Sequence, residues 1–154
     1  MTARPPGMDR WTPIALNADE GAPKIFWGDF TGIRFTEPFF DNTVDRWAAI
    51  DGASGRCVQT GLDVLRELDS SPSLDPAGFV FHMSRCGSTL VTGLLKEVPG
   101  TVVVSEPEVV NQLLLAHPRA LSDELCVELL RLIVRALGRR RLGDERHYVF
   151  KVSS

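Results

Sequence analysis

The stretch Phe79-Val-Phe-His-Met-Ser-Arg-Cys-Gly-Ser-Thr-Leu90 decides the fold. Its first three residues are aromatic or β-branched, which favours a buried central strand. Gly87 can adopt unusual backbone angles and lets a ligand approach closely, while Ser88 and Thr89 are typical of a helix start. An apolar stripe suited to a helix follows at Leu90, Val91, Leu94 and Leu95. The stretch therefore predicts a strand, a tight turn and a helix.

The predicted turn is a candidate anion site. A helix start presents unpaired N–H groups and a partial positive charge, and Arg85 with two hydroxyls beside it favours a phosphate or sulfate ligand. A plain strand-to-helix connection stays open, because a Gly-Ser-Thr match is weak alone. The sequence contains neither a Gly-Lys-Ser/Thr loop nor the glycine spacing of a dinucleotide-binding fingerprint. Cys86 suggests a cysteine phosphatase, but position 92, where that loop needs arginine, is threonine.

The residues after the turn predict an α/β fold, a parallel sheet with flanking helices. Thr101–Val104 is an apolar β-branched run, as in a buried parallel strand, and His147–Val152 is a third core strand. Ligands of such sheets bind beyond the carboxyl ends of the strands. Because Ser84–Thr89 and Ser105-Glu106 both lie at such ends, we expect Glu106 near the anion loop. His82 is expected to pack inside the first strand.

The chain is predicted to divide into an N-terminal segment of short strands and helices (residues 1–77) and the start of the α/β core (residues 78–154). Short strands are expected at Trp11–Leu16 and Lys24–Phe30, with Ile33–Phe35 as a candidate third. Helices are expected to follow at 107–116 and 122–138. The run Arg139–Arg141 is interpreted as a solvated helix end, with nucleic-acid or phosphate binding as the alternative.

Composition limits the class of protein. The chain has 154 residues, 44% of them hydrophobic, and a net charge of −3, which argues against bulk attraction to nucleic acid or an anionic membrane. No apolar run is long enough for a membrane span, and the N-terminus lacks the apolar core of a secretory signal. Three widely spaced cysteines favour a reducing, cytoplasmic setting. No metal-ligand spacing occurs, so no metal site is predicted.

The sequence Ser84-Arg-Cys-Gly-Ser-Thr-Leu90 resembles the loop with which sulfotransferases hold the 5′-phosphosulfate of 3′-phosphoadenylyl sulfate (PAPS), usually written Pro-Lys/Arg-Ser-Gly-Thr/Ser-Thr. Arg85 falls on the basic residue and Gly87 on the glycine. Two positions depart from the pattern, since Ser84 replaces the proline and Cys86 the serine. The likeness extends through Ser105-Glu-Pro107, where the protein-tyrosine and heparan-type branches carry a glutamate as general base, and covers about residues 78–116.

This resemblance implies an incomplete P-loop NTPase-like core that transfers a sulfuryl group from PAPS to an acceptor hydroxyl or amine, without a metal. Arg85 would neutralise the bridging oxygen and the leaving phosphate, Glu106 would take the acceptor proton, and Lys151 resembles a lysine near the active centre of the protein-tyrosine branch. The residues implied to bind PAPS are Ser84, Arg85, Cys86, Gly87, Ser88, Thr89 and Leu90.

Alternatives stay open for each role and for the function. Glu106 is equally explained as a carboxylate at a helix start, and Lys151 as a solvated charge. Cys86 is expected to have a lowered pKa at the helix start. The chain is interpreted as the N-terminal part of a longer enzyme, since it has no match to the family's 3′-phosphate motif. A P-loop-like kinase and a non-catalytic nucleotide-binding module remain alternatives. The sequence does not specify the acceptor (a small molecule, a carbohydrate or a peptide) or the oligomeric state.

Overall fold

The computed structural model describes residues 7–18, 22–50 and 53–153. Several residues of the predicted N-terminal segment (1–6, 19–21 and 51–52) lie outside the described residues. In chain order, the strands and α-helices are β1 (Thr12–Asn17), β2 (Lys24–Gly28), α1 (Phe40–Ala48), β3 (Cys57–Gly61), α2 (Leu62–Glu67), β4 (Pro76–Val80), α3 (Ser88–Lys96), β5 (Thr101–Ser105), α4 (Glu108–Ala120), α5 (Asp123–Leu137) and β6 (His147–Lys151).

Two three-stranded sheets organise the described part of the chain. One is antiparallel with the order β1-β2-β3, and the other is parallel with the order β4-β6-β5. Helices flank the parallel sheet, so the predicted α/β class is confirmed. The hydrophobic core is continuous and includes residues from both sides of the predicted division at residues 77 and 78; the division itself stays a prediction.

The parallel sheet has β6 at its centre, and the prediction that Phe79–Phe81 form a buried central strand was wrong. β4 pairs only with β6 in the described sheet, and Phe81, just beyond it, is 75% exposed. Strand β6, which follows β4 and β5 in the sequence, lies between them in the sheet. The predicted strand at Thr101–Val104 is confirmed as β5, which is buried along its whole length.

The helix predicted after the turn is confirmed as α3, but its apolar stripe is exposed. Leu90 and Leu94 lie on the surface, while the small polar residues Ser88 and Thr92 are buried against the sheet. Helix α4 continues four residues past the predicted end at Ala116, to Ala120. Helix α5 starts as predicted, because the Ser122 hydroxyl accepts a hydrogen bond from the N–H of Leu125 at 3.3 Å.

The antiparallel sheet contains the two predicted strands, but its third strand is β3 and not Ile33–Phe35. Residues 33–35 have no strand structure; Phe35 instead packs edge-on against Phe30, with 5.6 Å between ring centroids. The sheet joins the helical layer through β1, where the N–H of Leu16 donates to Gln112 Oε1 at 2.7 Å. The apolar stretch at residues 33–35 therefore contributes Phe35 to the core without forming a strand.

The prediction that the arginine run after α5 is a solvated helix end was wrong. Arg139 is 2% exposed, and its guanidinium donates to the carbonyl oxygens of Trp11 at 2.9 Å and Leu68 at 3.1 Å. Arg141 is also buried and stacks 3.9 Å over the ring of Phe35, and burial lowers its pKa to about 10. Only the middle arginine of the three, at position 140, is exposed. These arginines tie the N-terminal segment to α5.

Glu145 closes the loop that follows the arginines. Its carboxylate accepts hydrogen bonds from the N–H groups of Arg141, Leu142 and Gly143 at 2.7 to 2.9 Å. Burial alone would raise the pKa of this carboxyl group, but the N–H groups hold it below the ordinary value. The loop therefore depends on Glu145 being ionised.

No helix in the described part of the chain is long and apolar enough to cross a membrane.

Candidate functional site

The carboxyl ends of the three parallel strands meet at one edge of the sheet. Two backbone hydrogen bonds continue the ladder past the strand ends: the N–H of Val152 donates to the carbonyl of Val80 at 3.1 Å, and the N–H of Glu106 to that of Lys151 at 2.9 Å. The loop before α3, the residue after β5 and the last residue of β6 are thereby held side by side. This is the edge where ligands of open α/β sheets bind.

The loop between β4 and α3 forms a tight turn with exposed N–H groups at its end. The N–H of Cys86 donates to the carbonyl of Met83 at 3.3 Å, and Gly87, the N-cap of α3, lies in the left-handed region with φ of 87°. The N–H groups of Gly87 and Thr89 make no hydrogen bond among the described residues. An anion at this helix start would supply their acceptors.

The Cys86 thiol lies beside the same N–H groups. A hydrogen bond from the N–H of Ser88 is the largest cause of a lowered pKa at Cys86, which is the direction expected from the sequence. The thiol is exposed and free. By contrast, partial burial raises the pKa of Cys57, a second exposed free cysteine. The loop therefore stabilises negative charge at the Cys86 sulfur.

Arg85 has a strained backbone and an exposed side chain. Its φ of 60° places a non-glycine residue in the left-handed region, and within the described residues its guanidinium makes neither a hydrogen bond nor an ion pair. The sequence predicted that this side chain lies in the pocket beside Glu106. The structure places Lys151, not Arg85, against the Glu106 carboxylate, and the role of Arg85 stays a prediction.

An ion pair between Glu106 and Lys151 occupies the sheet edge. The Lys151 Nζ atom lies 2.5 Å from Glu106 Oε1, and the lysine side chain is only 1% exposed. The same ammonium group is 3.4 Å from Thr89 Oγ1 on the first turn of α3. A buried ammonium requires a partner to offset its desolvation, so the alternative of a solvated Lys151 is excluded. The prediction that Glu106 lies near the anion loop is also confirmed, since Lys151 bridges the two.

Glu106 also adopts the left-handed region, with φ of 51°. Arg85 and Glu106 are the non-glycine residues with positive φ in the described chain, and both were predicted from the sequence as site residues. Such a conformation costs on the order of 1–3 kcal/mol and persists where surrounding contacts over-determine it. At Glu106 those contacts are the backbone bond to the Lys151 carbonyl and the ion pair with its ammonium.

A segment from the N-terminal half crosses the site between α3 and α4. The ring of Phe39 lies 5.3 Å from the Lys151 ammonium, and the Glu37 carbonyl accepts a hydrogen bond from Lys96 Nζ. Burial is the main cause of a lowered pKa at Lys96, and the nearby Lys151 lowers it further. The Asp41 carboxylate accepts a hydrogen bond from the N–H at the start of α4 at 3.3 Å. The segment therefore contacts two ammonium groups, and one of them, that of Lys151, also reaches Thr89 at the start of α3.

Sequence reasoning missed the place of His82. The prediction that His82 packs inside the strand was wrong, because the residue lies two positions past the end of β4. Its Nε2 atom is 3.2 Å from Glu106 Oε1. The ring of Phe79 lies 6.2 Å from that of Phe81 and 6.1 Å from that of Phe150. An ionisable residue just past a strand end was the available signal. In the described residues no group of His, Cys, Asp and Glu is arranged to hold a metal ion.

Comparisons with protein-family models, with curated proteins and with solved structures found no match. The likeness to sulfotransferases therefore depends on the loop residues and on Glu106.

Proposed function

We propose that this protein is a PAPS-dependent sulfotransferase that transfers a sulfuryl group to an acceptor hydroxyl or amine. One observation carries the proposal: a carboxylate, a buried ammonium group and a helix start with unbonded N–H groups lie together at the carboxyl edge of the parallel sheet. This combination can bind a doubly charged phosphosulfate and place a proton acceptor beside it.

The loop residues Ser84–Leu90 would hold the donor's 5′-phosphosulfate. The N–H groups of Gly87 and Thr89 are available as donors, and the Thr89 hydroxyl lies within 3.4 Å of the Lys151 ammonium. Arg85 is exposed and unpaired within the described chain, so its guanidinium is available to close over a bound anion. Sulfuryl transfer, like phosphoryl transfer, requires mainly positioning and charge stabilisation of this kind.

Glu106 would act as the proton acceptor once the donor is bound. In the present state its carboxylate is neutralised by Lys151 at 2.5 Å. A bound phosphosulfate competes for the same ammonium group, and this competition frees the carboxylate for the acceptor. The O–H or N–H bond of the acceptor then breaks toward Glu106 while its oxygen or nitrogen bonds to sulfur. The sulfur–oxygen bond of the donor breaks with its electron pair, leaving 3′,5′-ADP.

A P-loop-like nucleotide-binding kinase is the second candidate. The Lys151 ammonium beside Thr89 favours it, because a lysine and a hydroxyl at a helix start are also what a nucleoside triphosphate requires. A kinase would need Mg²⁺ for binding, whereas a sulfotransferase would not. A non-catalytic module would bind the nucleotide without transfer.

Calorimetry with 3′,5′-ADP and with Mg²⁺-ATP distinguishes these candidates. We expect 3′,5′-ADP to bind without Mg²⁺, and Arg85→Ala to weaken binding by about tenfold or more, as for the loss of a charge-assisted hydrogen bond. Arg119→Ala is the matched control, because Arg119 is exposed at the far end of α4. Failure of the folded wild-type chain to bind 3′,5′-ADP or PAPS would refute the proposal, and Mg²⁺-dependent ATP binding would replace it with the kinase.

Transfer itself is measured with radiolabelled PAPS and a panel of phenols, amino sugars and tyrosine peptides. Glu106→Gln should retain donor binding and lose transfer by on the order of a hundredfold or more, the contribution of a positioned base. Equal turnover in Glu106→Gln and the wild type would exclude Glu106 as the base. Donor binding without transfer to any acceptor would favour the non-catalytic module.

A further inference from the structure

His82 is a buried ionisable residue at the site without an assigned role. Its side chain is 8% exposed, and its Nε2 atom is buried with no hydrogen-bond partner in the described chain. The atom approaches Glu106 Oε1 at 3.2 Å, without the alignment of a hydrogen bond. Buried polar atoms are nearly always satisfied, so an unsatisfied nitrogen requires an explanation. Apolar packing does not provide one, because it leaves the nitrogen desolvated at a cost.

The other ring nitrogen constrains the protonation of this pair. His82 Nδ1 lies 3.4 Å from the carbonyl oxygen of Met83, an atom that can only accept. When Nδ1–H donates there, the neutral ring carries a lone pair on Nε2. That lone pair and the carboxylate oxygen would repel each other at 3.2 Å unless a proton lies between them. The arrangement therefore creates a place for one proton between His82 and Glu106.

Two charged groups lie at this position: Glu106 at the junction of β5 and α4, and Lys151 on β6. The closest approaches of Lys151 and His82 are both to Oε1. When a bound donor draws Lys151 away, His82 is the contact that remains at Oε1, and Oε2 is the oxygen left to meet an acceptor.

We propose that His82 is a positioning residue for Glu106, which it holds at Oε1 and from which it takes up the proton removed from the acceptor. This inference rests on the proposed function. In the step, the acceptor's O–H or N–H bond breaks and its proton passes to Glu106 and is shared with Nε2. The acceptor atom bonds to sulfur, and the electron pair of the donor's broken sulfur–oxygen bond leaves with 3′,5′-ADP. The proton then returns to solvent.

A spectroscopic test addresses the pairing without requiring turnover. The ¹⁵N chemical shifts of histidine rings report which nitrogen carries a proton. The chain has three histidines, and His147, exposed at the opposite end of β6, is the internal control. We expect Glu106→Gln to change the Nε2 shift of His82 and to leave that of His147 unchanged. Identical His82 shifts in the wild type and Glu106→Gln would overturn the proposal.

Kinetics of His82→Gln test the role in the reaction, with His147→Gln as the matched variant. We expect His82→Gln to bind 3′,5′-ADP as the wild type does and to lower kcat by about tenfold to a hundredfold, less than the loss of the base itself. An unchanged kcat in His82→Gln would overturn the role of His82.

Two further outcomes separate this inference from the function on which it rests. If the wild type does not bind 3′,5′-ADP or PAPS, the proposed function fails and the proton-transfer role of His82 fails with it, whatever the ring shifts show. If donor binding and transfer are present but His82→Gln behaves like His147→Gln, the function is retained and only the role of His82 is refuted. His82→Asn, which has a smaller amide side chain, is a second variant. Both His82→Gln and His82→Asn should unfold at the urea concentration at which the wild type unfolds, so that a loss of turnover is not due to misfolding.

Discussion

The strained backbone of Arg85 predicts that glycine is more stable than alanine at this position, the reverse of the usual order. Arg85 has φ of 60°, and its side chain makes no hydrogen bond or ion pair with the described residues. Replacing it with alanine removes the guanidinium and keeps the strain. Replacing it with glycine removes both, because glycine enters the left-handed region without steric cost. The stabilities of the two variants therefore differ only through the conformational free energy of the backbone at this position.

The magnitude follows from two opposing contributions. A non-glycine residue in the left-handed region costs about 1–2 kcal/mol. Glycine loses more unfolded-state entropy than alanine, which costs about 0.5–1 kcal/mol. Arg85→Gly should therefore exceed Arg85→Ala in the free energy of unfolding by about 0.5–1 kcal/mol. With a urea m-value of about 1–3 kcal/mol/M, the midpoint should differ by a few tenths of a molar.

Urea denaturation followed by circular dichroism measures this difference. Leu115 is the control position, since it is exposed and lies inside α4; there glycine should be less stable than alanine by about 1 kcal/mol. Alanine more stable than glycine at both positions would refute strain at Arg85. Both Arg85 variants should lose donor affinity equally, because that loss comes from the guanidinium and not from the backbone.

Three other predictions concern groups outside that backbone turn. Arg139→Ala should lower the free energy of unfolding by about 3 kcal/mol, because it leaves buried carbonyl oxygens unpaired. Arg140→Ala, on the exposed neighbour, should change it by less than about 0.5 kcal/mol. Equal effects of the two variants in urea denaturation would contradict the buried contacts of Arg139. The pKa of Glu145 is held below its ordinary value of 4.5, so its contribution to stability is present above that value and is lost as the pH falls below it. Glu145→Gln should therefore flatten the acid decline of the unfolding free energy, and an unchanged decline would exclude this carboxyl group as its source. Iodoacetamide should modify Cys86 faster than Cys57 at neutral pH, because the pKa is lowered at the first thiol and raised at the second. Mass spectrometry of the labelled peptides gives the order of modification. Preferential labelling of Cys57 would contradict this prediction.

The sequence was sufficient for the parts of the fold that local chemistry determines. The Ser122 cap, the β-branched strand β5 and the helix after Gly87 all follow from short-range preferences. Strand order does not, because β6 is placed between β4 and β5 by packing over long sequence distances. That placement explains why β4 was mistaken for the central strand. It also explains the burial of Lys151, which no local pattern distinguishes from a surface lysine.

The arginines show the same limit in another form. A cluster of three positive charges after a helix resembles a solvated end, and only the tertiary structure supplies the carbonyl oxygens and the aromatic ring that bury Arg139 and Arg141. The site repeats this pattern. Glu106 and the loop were identifiable from their position at strand ends, whereas His82 joined the site through a side-chain direction that the sequence does not encode locally.

The central position of β6 couples the candidate site to the completion of the sheet. Lys151, its last residue, contributes the carbonyl that fixes the Glu106 backbone and the ammonium that neutralises the Glu106 side chain. The left-handed conformation of Glu106 is therefore stabilised only when β6 is paired with β5. The same strand carries the ammonium to Thr89 at the start of α3. The Glu106 carboxylate and the loop before α3, which are separate in the sequence, are thus joined into one candidate site by a single lysine.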